Sequence, residues 1–209
     1  MQEVAPNIRY AALASEESVQ TTARRLNENG MTAHIVESGA DAHRRALELI
    51  PDDAEVFTAT SQTLEEIGLP GAIEGSPRLR SVRSVLREMD MATQRHEMRA
   101  LGARPDVIVG SVHAITEQGE VVVASASGSQ LGPYASGAGK VIWVVGTQKI
   151  VPSLDEAMRR IQEYALPLED ERAQLAYGQG SFIGKELIFY REYLPDRVHV
   201  ILVKEKLGF

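Results

Sequence analysis

The sequence predicts an α/β fold: a mostly parallel sheet with helices on both faces. Three observations predict it. Strand-like and helix-like periods alternate along the chain. Four runs, Val107–Val109, Val121–Ala124, Val141–Val145 and Val198–Val203, are apolar but for His199 in the last, the pattern of strands buried on both faces. With 209 residues, 44% of them hydrophobic, the chain can bury a core without disulfides, and it has no cysteine to form any. No repeat, low-complexity tract or linker divides it. One domain over residues 1–209 is therefore expected, with an N-terminal helical part over residues 1–30 packed on it.

Each element follows from local chemistry. Ser15 reads as an N-cap, Glu16 and Glu17 suit the positive end of a helix, Val19, Ala23 and Leu26 recur at helical spacing, and Gly30 terminates the run. Thr32–Val36 is a strand. Ala42–Ile50 is a helix with Ala46, Leu47 and Ile50 apolar and Pro51 just beyond it. Glu55–Thr58 is a strand, and Ser61 or Thr63 then caps a short helix through Ile67, closed by Gly68. Thr63 and Glu66 have capping-box spacing. Gly71–Ser81 reads as an irregular surface loop, with an internal hinge as the alternative, because prolines and glycines crowd it. Leu86–Leu101 reads as one long helix, ended by Gly102 and Pro105. After the strands comes a helix over Ser153–Tyr164, with Ser153 as N-cap and Asp155 and Glu156 in the first turn. Leu166–Gly184 reads as irregular and Leu187–Tyr190 as an edge strand.

Composition excludes several function classes. Without cysteine there is no Cys-ligated zinc, no iron–sulfur cluster and no thiol nucleophile. The formal net charge of −7 argues against nucleic acid and anionic membranes as partners. The apolar runs are far shorter than the ~20 residues that span a bilayer. The N-terminal stretch MQEVAPNIRYAALAS has no basic region followed by a long apolar run, so the expected location is cytoplasmic.

Two tempting motifs fail on physical grounds. Ser136-Gly137-Ala138-Gly139-Lys140 lacks the earlier glycine of a P-loop and the Ser or Thr after its lysine, and a strand rather than a helix follows. Gly178-Gln179-Gly180 lacks the third glycine of a dinucleotide fingerprint. No two of the five histidines have helical zinc spacing. His34 and His199 alternate with apolar neighbours inside strands, and His43 and His96 fall on solvated helix faces. His113 sits in a loop after a buried strand, either as a hydrogen-bonded loop histidine or as a ligand contact.

The informative segment is 106–151. The strand at Val107–Val109 leads into Ser111, His113, Thr116 and Glu117, and Gly119 turns the chain into the next strand. That strand leads into Ser125-Ala126-Ser127-Gly128-Ser129-Gln130, whose small hydroxylated residues suit either backbone approach to an anion or a plain turn. Ligands of such folds sit at the carboxyl ends of parallel strands. The turns after Val109 and Val123 are expected to converge with Lys149 on one pocket for a small anion.

Five blocks in order resemble the lactate-utilisation (LUD) domain family, in particular its protein C group. They are Thr63-Leu64-Glu65-Glu66-Ile67-Gly68-Leu69; Ser111 to Val123, with its core Ala114-Ile115-Thr116-Glu117 followed by Gly119-Glu120; Val144-Val145-Gly146 with Lys149-Ile150-Val151; Glu156-Ala157 with Arg160-Ile161; and the stretch from Val198 to Phe209. Together they cover roughly residues 15–209. The resemblance implies a Rossmann-like sandwich of the NagB/RpiA/CoA-transferase type. It also implies a link to lactate oxidation beside iron–sulfur oxidoreductase subunits. The chain departs from the family in places. Ala59-Thr60-Ser61 stands where many members carry Gly-Gly-Ser, His113 where many carry Asn, and Gly128-Ser129-Gln130 where Gly-Asn-Arg is frequent.

Glu117 in its Thr-Glu-x-Gly setting resembles the nucleophilic glutamate of some CoA transferases; the alternative is a carboxylate that stiffens the turn. Lys149, at a strand end, can neutralise a phosphate or carboxylate or be solvated. Glu117 and Lys149 are thus the catalytic candidates. Ser61, Ser111, His113, Thr116, Gly119, Ser127, Gly128, Ser129, Gln130 and Arg172 are the ligand-binding candidates, and no metal ligand stands out. The favoured function is binding of a small anionic metabolite in the oxidation of lactate or a related hydroxy acid, with redox partner subunits. The alternatives are an autonomous acyl- or CoA-transferase or sugar-phosphate isomerase, and a non-catalytic regulatory subunit. The cofactor is left open, and a homo-oligomer is compatible with the apolar edge strands.

Overall fold

A computed structural model describes residues 5–209 of the chain. The first four residues of the N-terminal stretch, on which part of the export and domain reading rests, lie outside the described residues. In chain order the elements are α1 (Glu16–Glu28), β1 (Thr32–Val36), α2 (Gly39–Leu49), β2 (Glu55–Thr58), α3 (Gln62–Glu66), α4 (Leu69–Glu74), β3 (Arg80–Ser81), α5 (Val82–Glu88), α6 (Arg95–Ala103), β4 (Val107–Gly110), β5 (Ala114–Thr116), β6 (Val121–Ser125), β7 (Lys140–Gly146), β8 (Ile150–Val151), α7 (Leu154–Arg160), α8 (Leu166–Tyr177), β9 (Lys185–Phe189) and β10 (Val198–Val203).

Six strands form an all-parallel sheet in the order β1-β10-β7-β4-β2-β3. A four-stranded sheet, β8-β5-β6-β9, pairs β5 with β8 in parallel and is otherwise antiparallel. Alternation along the parallel strands assigns each side chain to a layer. Ile142, Val144, Ile201 and Val203 pack with Ala42, Ala46, Leu64 and Ile73 of the helices on one face. Val141, Trp143, Val145 and Leu202 pack on the other face against α1 and against Ile115, Val121 and Val123 of the smaller sheet. The outer face of that sheet meets Ala157, Ile161 and Tyr164. The helices on both faces of the parallel sheet are thus present, and a second sheet shares one of those faces with α1.

Several local expectations hold in detail. Ser15 Oγ accepts from Ser18 N at 3.1 Å, and Ser153 Oγ accepts from Glu156 N at 3.3 Å. Three others are corrected. The segment 71–81 is not wholly irregular, because α4 runs to Glu74. Pro70 sits in its first turn, where a missing N–H costs nothing, and Leu69 and Ile73 bury its inner face. The single helix expected over 86–101 is two. Asp90 accepts from Ala92 N and from Thr93 Oγ1, both at 2.9 Å, so its side chain competes with the helix ladder and breaks it. The segment 166–184 is helical as far as Tyr177, where Gly178 turns left-handed at φ +70°. A π-turn over Ile161–Ala165 joins α7 to α8, and Pro167 follows in the first turn. The carbonyl that Pro167 leaves without a donor, that of Glu163, accepts from Asn7 N at 2.8 Å.

Candidate functional site

The carboxyl ends of β2, β4 and β7 open onto one cleft of about 310 Å³. β2 delivers Ala59, Thr60 and Ser61; β4 delivers Ser111 and His113; and the short helical turn Thr147–Lys149 after β7 delivers Lys149. From the smaller sheet, the end of β6 adds Ser125, Ser127, Ser129 and Gln130, while Arg172 and Glu169 of α8 close the opposite wall.

Lys149 lies at the floor. It is 2% exposed, yet its Nζ donates only to hydroxyls: Thr63 Oγ1 at 2.9 Å and Ser111 Oγ at 3.1 Å. No carboxylate of the described residues is within ion-pair distance of it. Burial, reinforced by the nearby Arg160 guanidinium, holds its ammonium well below the usual lysine range. Arg160 is also fully buried. Its Nη1 donates to His113 O at 2.5 Å and its Nε to Gln148 O at 3.3 Å, so it ties together the two loops that flank Lys149. Thr63 passes its own hydroxyl hydrogen to Leu207 O at 3.1 Å, and Gln148 Nε2 donates to the same carbonyl at 2.8 Å. The C-terminal residues thereby lock the cleft floor. Thr63 does not complete a capping box: Glu66 Oε2 accepts from Gly208 N instead, at 2.8 Å. Ser61 stands at the N-cap position of α3 without a capping hydrogen bond, and its side chain faces the cleft lining.

His113 is held neutral. Its Nδ1 accepts from Ala124 N at 3.1 Å, which leaves the ring hydrogen on Nε2. Burial first, then Lys149 and Arg160, push its pKa down to about 3. Tyr134 packs edge-on against Trp143 at 5.3 Å, and its hydroxyl occupies the space beside Gly110. A Cβ on Gly110 would lie 1.6 Å from that oxygen, so only glycine fits at the end of β4. On the upper wall Arg172 grips Glu169 with two 2.7 Å hydrogen bonds, which raise its pKa, and its guanidinium lies 5.4 Å from the Tyr177 ring centre. Arg83 hydrogen-bonds Thr60 at the rim.

Among the candidates, Ser61, Ser111, His113, Ser127, Ser129, Gln130, Lys149 and Arg172 all line this cleft. Gly128, at φ +85°, shapes the serine loop between Ser127 and Ser129 while Lys185 packs over it. Thr116, Glu117 and Gly119 are not in the lining. They form the far tip of the β5–β6 hairpin, and only the open ends of an antiparallel hairpin, here His113 and Ser125, reach the cleft. Glu117 Oε1 accepts from Ser18 Oγ of α1 at 2.6 Å, Thr116 Oγ1 bonds Glu120, and Gly119 packs on α1. Sequence reasoning missed Thr63, Arg83 and Arg160. Thr63 was read as a helix cap and Arg160 as part of a helix, both inside family blocks, and Arg83 falls between the loop read over 71–81 and the helix read over 86–101.

The profile of the LUD domain family matches residues 19–203. The chain therefore belongs to the LUD (lactate-utilisation) domain family. A DUF162 family protein from Deinococcus radiodurans has a similar structure, with a TM-score of 0.50 at 14% identity, covering 92% of this chain and 99% of that one. Ribose 5-phosphate isomerase A from Neisseria gonorrhoeae aligns with a TM-score of 0.35 at 11% identity over 75% of this chain and 76% of that one. No curated protein matches. No helix of the described residues is long and apolar enough to cross a membrane.

Proposed function

We propose that this LUD-domain protein binds a small anionic metabolite in the cleft and acts in the oxidation of lactate or a related hydroxy acid. The observation that carries the proposal is Lys149: a buried amine at the floor of an open cleft, held by two hydroxyls and without a carboxylate partner among the described residues. A buried ammonium is costly unless something compensates it, and an incoming carboxylate or phosphate would do so by drawing a proton onto Lys149 and pairing with it. The cleft lining is otherwise hydroxyl-rich, and its remaining charged side chains, Arg83, Arg172 and Glu169, give a positive balance without counting Lys149. Electrons have to leave through another protein or cofactor, since the chain offers no cysteine for a cluster. Partner subunits carrying iron–sulfur centres fit that requirement. The acyl-transfer alternative required Glu117 beside Lys149, and their separation takes from it the glutamate it was built on.

Thermal-shift titration with lactate, CoA esters and sugar phosphates tests the binding. A ligand at 100 times its Kd adds about 2.7 kcal/mol. Stabilisation by a carboxylate or phosphate that disappears in Lys149→Met is expected. Equal stabilisation of wild type and Lys149→Met, or no response to any anion, overturns the proposal.

A further inference from the structure

We infer that Lys149 is a nucleophilic amine that condenses reversibly with the carbonyl carbon of a small oxo acid bound in the cleft. This rests on the anion-binding reading above and narrows it to a ligand class, carboxylates that also carry a ketone or aldehyde.

The geometry carries the inference. A lysine kept only to bind an anion is normally exposed or ion-paired, so that it stays charged. Lys149 is neither: it is enclosed, it borders a 310 Å³ cleft, and its only hydrogen-bond partners among the described residues are two hydroxyls. Arg160, a second buried cation, approaches from behind through the His113 and Gln148 carbonyls. An amine desolvated beside another cation is the setting in which lysine becomes a nucleophile near neutral pH. The lowered basicity of Lys149 agrees with this placement. Arg160 does not compete for the same electrophile, because a protonated guanidinium has no free lone pair to offer a carbonyl carbon.

The step balances without any oxidant or further reactant. The Nζ lone pair attacks the carbonyl carbon, forming a C–N bond and leaving negative charge on the oxygen. That oxygen takes a proton from the nitrogen, giving the neutral carbinolamine. The hydroxyl takes a proton from solvent through Ser111 Oγ and leaves as water, and the nitrogen then returns its remaining proton to solvent, so that a C=N bond and one water are the net products. The two hydroxyls beside Nζ differ in role. Thr63 gives its hydrogen to Leu207 O and so holds the amine in place, whereas Ser111 Oγ is the hydroxyl free to pass a proton between nitrogen and oxygen. The carboxylate of the oxo acid would face the remaining cleft cations, Arg172 or Arg83.

The experiment is reductive trapping on the full chain. The protein is incubated with pyruvate or glyoxylate and cyanoborohydride, and the adduct is located by peptide mass spectrometry. The chain has five lysines, so Lys140, Lys185, Lys204 and Lys206 are internal controls in the same sample. The expected result is one adduct, on Lys149, formed at near-neutral pH at least tenfold faster than on the other four. Lactate added in excess is expected to slow it. Lys149→Arg is expected to lose the adduct, and Ser111→Ala to slow trapping several-fold. Labelling spread evenly over the lysines, or no adduct on Lys149 while anions still stabilise the protein, overturns the inference and leaves anion binding standing. Absence of any anion-dependent stabilisation overturns the binding reading itself.

Discussion

At the scale of single residues, enclosure by protein decides which groups are charged. Lys149 and His113 both resist protonation in the folded chain, and the sign of the consequence is the same for each. Below the ordinary lysine value of 10.5, the unfolded chain holds a proton on Lys149 that the folded chain disfavours. Stability therefore rises with pH toward 10.5 through this group. Unliganded Lys149→Met is expected to be at least as stable as wild type near neutrality and to lose part of that rise, as read from urea midpoints across the alkaline range. His113 works in a lower window. Its folded pKa of about 3 against 6.5 unfolded means that stability is lost as pH falls from 6.5 toward 3. His113→Asn places an amide oxygen near the acceptor that Ala124 N uses, and it removes the titration. Its urea midpoint is expected to fall less steeply in that window than wild type, and an identical fall would show that His113 titrates normally.

At the scale of elements, caps and breakers locate the segment ends, and contacts distant in sequence decide the exceptions. Ser15→Ala removes the cap of α1 and is expected to cost about 1 kcal/mol in chemical denaturation. Gly119 matters to the same helix for a different reason. At φ +85° it turns the β5–β6 hairpin, and a Cβ there would lie 2.8 Å from Asn29 Nδ2 and 3.0 Å from the Arg25 backbone. Gly119→Ala is expected to cost more than about 1 kcal/mol. Because the hairpin tip is remote from the cleft, anion binding is expected to survive in this variant. Local signals fixed α1, β1, β2 and the four long strands to within a residue or two. They failed where a breaker was harmless in context: Pro70 and Pro167 sit in first turns, and Asn7, far away in sequence, satisfies the carbonyl that Pro167 strands. They also failed at Asp90, whose side chain stops a helix that its apolar spacing would have continued.

At the scale of the whole molecule, one buried ion pair fastens the approaches to the central strands. Arg197 Nη1 donates to Glu192 Oε2 at 2.6 Å, and the same guanidinium donates to the carbonyls of Ala138 and Tyr134 at 3.1 and 2.8 Å. It thus ties the link between β9 and β10 to the turn before β7. Glu192→Ala leaves Arg197 buried and uncompensated, for which a loss of about 3–5 kcal/mol is expected in urea. The exposed pairs, such as Arg44 with Asp41, are worth far less. The same assembly forms the cleft, since its walls come from both sheets and from α8.

The sequence by itself determined the α/β class, the longer strands, the family and eight of the residues that line the cleft, because continuous apolar runs, caps and strand-end loops are local in the chain. Only the tertiary structure decided which of those loops meet. Ser111 and Glu117 are six positions apart, yet a hairpin carries one to the cleft and the other to α1. It also decided that Lys149 is enclosed with no carboxylate of the described residues in ion-pair distance, Glu66 acting on it only from farther away. Charge compensation is a property of neighbours in space, and a spacing along the chain does not encode it.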